Sequence, residues 1–123
     1  MKIERFEELE CWQEARILVG LVYGAINKSE KLKRDFGLRD QLARAAVSVM
    51  SNIAEGFSRQ SNKEFIRFLF ISKSSASEVQ SIIYAALDLG YVNKDSFDKI
   101  YGHADKVSQI DSGLIKYLFS QLK

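Results

Sequence analysis

A chain of 123 residues with no proline and one cysteine is sized for a single domain with its own apolar core. It cannot close an internal disulfide, which fits a reducing, cytoplasmic setting. The N-terminal MKIERFEELECWQEAR has early acids and no apolar stretch, and the longest apolar run, ILVGLVYGAI, is about half of a membrane span, so neither a signal peptide nor a membrane partner is expected. The net charge of +2 is unevenly spread: residues 28–73 carry ten bases against five acids, while the flanking segments are mildly acidic. A basic centre of this kind can attract an anionic polymer.

Apolar periodicity predicts four helices. The first covers 6–27, with Trp12, Ala15, Val19, Val22, Tyr23 and Ile26 on one face. The charged KSEKLKRDFG segment follows as a connection, in which Phe36 is expected as a hydrophobic anchor. Lys31, Lys33, Arg34 and Arg39 lie in it or just after it and are the candidate nucleic-acid contacts. No aromatic platform accompanies them, so contact with the phosphate backbone of RNA or DNA is the reading, without base recognition.

The second helix is expected over 38–58. Leu38, Leu42, Ala45, Val49, Ile53, Gly56 and Phe57 share a face, and Ala43, Ala46, Val47, Met50 and Ala54 extend the small or apolar arc. A helix lining one core needs an apolar arc of little more than 100°. Here the arc is about twice that, which predicts protein on two sides of the helix and hence a homo-oligomer.

The third helix covers 62–91, where Ser61 followed by Glu64 has the spacing of a capping box. Gly90 then turns the chain into a fourth helix over 95–121. In it Phe97, Ile100, Ala104, Val107, Asp111, Leu114 and Leu118 recur by threes and fours, a bundle seam containing one acid. Four helices with short joints predict an all-α fold, an antiparallel up-down four-helix bundle over residues 1–123.

Polar residues within the second and third helices invite a chemical reading. Arg44, Ser48, Ser51 and Glu55 form one column, and Glu78 closes a comparable column on the third helix. Two facing carboxylates could act as an acid and base pair. The favoured reading is a buried hydrogen-bond and ion-pair network that fixes helix register. His103 is the single histidine and is read as a surface residue. Ile100 stands where a di-iron bundle places glutamate, and no zinc ligand set or phosphate-binding glycine loop occurs. No catalytic residue, cofactor or metal is therefore expected. Cys11 beside Trp12 reads as packing.

The stretches FEELECWQEARILVGLVY, FGLRDQLARAAVSVMSNIAEGFSR, KEFIRFLFISKSSASEVQSII and DLGY together resemble the bacterial 23S rRNA intervening-sequence four-helix proteins. They are also similar to the accessory variability protein of diversity-generating retroelements. The motif is carried by Gln41, Arg44, Ala45, Ser48, Asn52, Ile53, Ala54, Glu55, Gly56 and Arg59, with Phe65, Phe68, Leu69, Ser75 and Glu78 downstream. The resemblance implies a ring-like homopentamer with no catalytic residues. It also implies a basic surface that in the retroelement relatives engages nucleic acid and a nucleic-acid-bound protein. Two departures stand out: the family's Phe-Pro step before the second helix is absent, and Ala43 replaces the first of two arginines.

Overall fold

The computed structural model describes residues 2–122, and every regular element among them is helical. A single 3-10 turn, Phe6–Glu8, precedes α1 (Glu10–Lys28), α2 (Glu30–Arg34), α3 (Phe36–Ser58), α4 (Asn62–Asp88) and α5 (Lys94–Ser120). The expected bundle is present in the four long helices. Around it the order is α1, α3, α4, α5, with α1 and α4 on one diagonal and α3 and α5 on the other.

Local chemistry explains where the chain departs from the expected boundaries. Leu9 is extended (φ −75°, ψ 128°), which separates the 3-10 turn from α1, so the first helix starts at Glu10. The charged connection is itself a short helix. Ser29 Oγ accepts from Leu32 N at 3.1 Å and starts α2, and Leu32 is completely buried. Asp35 Oδ1 accepts from Leu38 N at 3.2 Å and starts α3 two residues earlier than periodicity indicates. Each acceptor satisfies one of the free N–H groups of a helix start. Phe36 is 64% exposed, so Leu32 and not Phe36 anchors this corner. Ser61 caps α4 as expected, and its Oγ lies 3.3 Å from Glu64 N.

At the far end of α4, Gly90 takes φ +74°. Tyr91 N donates to Ala86 O at 2.8 Å and Gly90 N to Leu87 O at 3.0 Å. This is a Schellman closure, which needs a left-handed residue and ends the helix at Asp88 instead of 91. Tyr91 Oη then donates to Asp35 Oδ2 at 2.9 Å, tying the α4–α5 joint to the start of α3.

The core is apolar along its length. Leu18, Val22, Leu42, Val49, Ile53, Leu69, Val79, Ile83, Ile100 and Val107 are essentially inaccessible, each worth about 1.5–3 kcal/mol of apolar transfer. Buried polar side chains interrupt it at Ser72 and Asp111, and one turn along α4 at Ser75.

Candidate interaction surface

The motif residues on α3 separate into three groups. In the first, Ser48 Oγ and Ser75 Oγ are 2.9 Å apart across the α3–α4 seam. Asn52 Nδ2 donates to Ser48 O at 2.8 Å and to Ser48 Oγ at 2.9 Å. The Ser48–Ser75 contact sets the register of the two helices, and Asn52, from within α3, holds the Ser48 hydroxyl in place. In the second group, Gly56 is buried directly against α4. A β-carbon there would lie 2.7 Å from Phe68 Cβ and 3.0 Å from Phe65 Cδ1, so only glycine permits this approach.

The third group is an exposed cluster at the hinge. Glu55 pairs with Arg59 at 3.1 Å, Arg59 reaches Glu64 at 3.7 Å, and Glu64 pairs with Arg67 at 3.0 Å. The guanidinium groups of Arg59 and Arg67 stand over the Phe68 ring, 4.8 and 4.5 Å from its centroid. Glu55 therefore belongs to a solvated charge chain, not to a buried network. Gln41, Arg44 and Glu78 are exposed as well.

Register also separates the two carboxylates. Gly56 faces Phe68 and Ser48 faces Ser75, which sets Glu55 level with the start of this contact and Glu78 level with Arg44 and Ala45. Ten helical residues, about 15 Å, lie between those levels. That is too far for a pair acting on one bond. Among the described residues no three His, Cys, Asp or Glu side chains gather as a metal site, and no helix is long and apolar enough to cross a membrane.

The basic segment is only partly free. Lys33 pairs with Glu30 at 3.0 Å, and Arg39 pairs with Asp40 at 3.0 Å. Arg39 also donates to Lys33 O at 3.1 Å and covers the Phe36 ring at 4.7 Å. Lys31 and Arg34 are exposed and form no ion pair among the described residues. Leu32, buried between them, fixes the short helix that presents both.

The apolar excess of α3 is visible in the structure. The chain's own core takes up Leu42, Ala45, Ala46, Val49, Ile53 and Gly56. Val47 is left 38% exposed and Ala54 half-buried outside it, while Ala43, Met50 and Phe57 pack against that core with part of their surface still open. Tyr23 of α1 joins Ala43, Val47, Arg44, Asp40 and Ser48 around a shallow depression of about 450 Å³. Ile71 of α4 is also 36% exposed.

Two features escaped the sequence reading. His103 is not a free surface residue: it sits at the α1–α5 seam, donating from Nε2 to Glu14 O at 3.0 Å. Glu14 Oε1 lies 3.0 Å from the same nitrogen and 3.3 Å from Lys106 Nζ. Asp111, read as one acid in a seam, is fully buried, and burial pushes its carboxyl from 3.8 up to about 7. Only the i, i+3 and i, i+4 pattern of the fourth helix hinted at that burial.

Residues 7–113 match the family described as 23S rRNA-intervening sequence protein. A similar solved structure is a protein with unknown function from the S23 ribosomal protein family of Bacteroides thetaiotaomicron VPI-5482, determined at 1.70 Å resolution. It is 22% identical, with a TM-score of 0.71 over 86% of this chain and 94% of that one, a likeness of fold. No curated protein matches the chain.

Proposed function

The chain belongs to the 23S rRNA-intervening sequence protein family, and from that premise we propose a non-enzymatic scaffold that assembles as a homopentameric ring and contacts RNA or DNA through α2 and the start of α3. The observation that carries the reading is the unspent apolar arc of α3. Val47 and Ala54 lie beyond the chain's own core, and a second copy is the surface that would cover them. Five copies would repeat Lys31 and Arg34 around one end of the ring. Repeated cations bind a phosphate backbone by releasing its counterions, without reading bases.

Sedimentation velocity at micromolar concentration tests the assembly: five chains are expected, Val47→Asp should shift them toward monomer, and a monomeric wild type refutes the ring. Fluorescence anisotropy with structured RNA and with duplex DNA tests the rest. Affinity should fall steeply between low and near-physiological salt. Lys31→Ser with Arg34→Ser should weaken binding and flatten that slope while leaving the ion-paired Lys33 and Arg39 in place. The pairing of Lys33 and Arg39 with their own acids favours a second reading, an interaction ring without nucleic-acid affinity. Absence of binding at low salt would select it.

A further inference from the structure

All four long helices meet in one polar layer of the core. Asp111 of α5 and Ser72 of α4 are 0% exposed, Cys11 of α1 is 1% exposed, and α3 contributes the Val49 carbonyl. Ser72 Oγ lies 2.8 Å from Asp111 Oδ2 and 3.0 Å from Val49 O. A serine hydroxyl has one proton, and a carbonyl oxygen only accepts. With Asp111 ionised, two acceptors would compete for that proton, and the loser would face an oxygen lone pair in a dry interior. With Asp111 neutral, Oδ2–H donates to Ser72 Oγ and Ser72 O–H donates to Val49 O, so both short contacts become hydrogen bonds. Asp111 Oδ1 has no hydrogen-bond partner among the described residues, a deficit far less costly for a neutral carbonyl oxygen than for a carboxylate.

The groups facing Asp111 offset a charge less than burial opposes it. From α1 comes the Cys11 thiol, a weak donor that favours ionisation of Asp111 and whose own pKa is pushed up by burial and by Asp111. From α4 come Ser72 and, at longer range, the half-buried Lys73, which favours ionisation without forming an ion pair. From α3 comes only the peptide carbonyl.

We propose that Asp111 is the neutral hydrogen-bond donor of this layer and that its ionisation is a pH-sensitive release built into the bundle. The folded carboxyl titrates above the unfolded one, near 7 against 3.8. The folded state therefore keeps a proton that the unfolded chain has already lost. Its stabilisation is complete below the unfolded value, declines as pH rises between the two, and is gone above the folded value.

The test uses the full chain at fixed protein concentration. Unfolding is followed from pH 5 to 8 for wild type and for Asp111→Asn, whose amide donates to Ser72 without titrating. Relative to that variant, the wild-type folding constant should fall by up to about 10-fold per pH unit from pH 5, one proton's worth, and level off above the folded value near 7. All other groups are common to the two proteins and cancel in the difference. Parallel pH profiles would overturn the proposal. Should Asp111→Asn fail to fold, carboxyl-carbon NMR of wild type labelled at aspartate decides alone. One aspartate titrating near neutrality supports the assignment, and all of them titrating near 4 refute it.

Discussion

Replacing Gly56 by alanine adds one methyl group inside the α3–α4 seam. The new β-carbon would stand 2.7 Å from Phe68 Cβ, whereas carbon atoms in contact rest about 3.5–4.0 Å apart. Both atoms are fixed to helix backbones, so no rotamer change relieves the clash. α4 must retreat by roughly 1 Å, which stretches the 2.9 Å Ser48–Ser75 contact two turns away and loosens the Phe57–Phe65 edge contact across the hinge. Overpacking of this kind costs about 1–3 kcal/mol, and a clash between two backbone-anchored atoms belongs at the upper end. Alanine returns about 1 kcal/mol through its better helix propensity. The net loss is about 2 kcal/mol, or roughly 6–10 °C in Tm for a domain of this size. Guanidinium unfolding at constant protein concentration measures it, since assembly would otherwise shift the midpoint. In a Phe68→Gly background the same change should cost far less, because the opposing β-carbon is gone and only the Phe65 ring edge, which can shift, stays close. An unchanged or raised midpoint for Gly56→Ala in the wild-type background would refute the close-approach account.

Glu55→Ala and Glu78→Ala should each change stability by no more than about 0.5 kcal/mol, because Glu55 makes an exposed pair with Arg59 and Glu78 is solvated. A loss of 2 kcal/mol or more from either, on the scale of a broken buried network, measured by the same unfolding assay, would show that assembly buries these residues. Gln60→Gly should stabilise by about 0.5–1 kcal/mol, since Gln60 holds φ 57°, a conformation costly for any residue with a β-carbon. A lower unfolding midpoint for that variant would mean that the Gln60 side chain makes a stabilising contact of its own.

What the sequence determined by itself was the part governed by neighbours a few residues apart. Apolar recurrence by threes and fours was enough for four long helices, and Ser61 with Glu64 marked the start of α4, because capping is settled within one turn. The same local chemistry was present at Ser29 and Asp35, but the density of charges around them hid a helix that exists because Leu32 is buried. The broad apolar arc of α3 could also be read directly, and Val47 is exposed in the folded chain as that arc required. The tertiary structure decided everything that depends on which residues face each other across helices. It opened Glu55 to solvent and set Glu78 some ten residues further along the seam. It gave Gly56 its reason in the β-carbon of Phe68, and drew His103 onto Glu14. It also put Asp111, Ser72, Cys11 and the Val49 carbonyl into one dry layer. None of these follows from periodicity, because a helical wheel assigns a residue to a face but says nothing about its height along the neighbouring helix. The protonation state of a buried acid depends on that height: a few ångströms along the seam decide whether its partner is a hydroxyl, a cation or water.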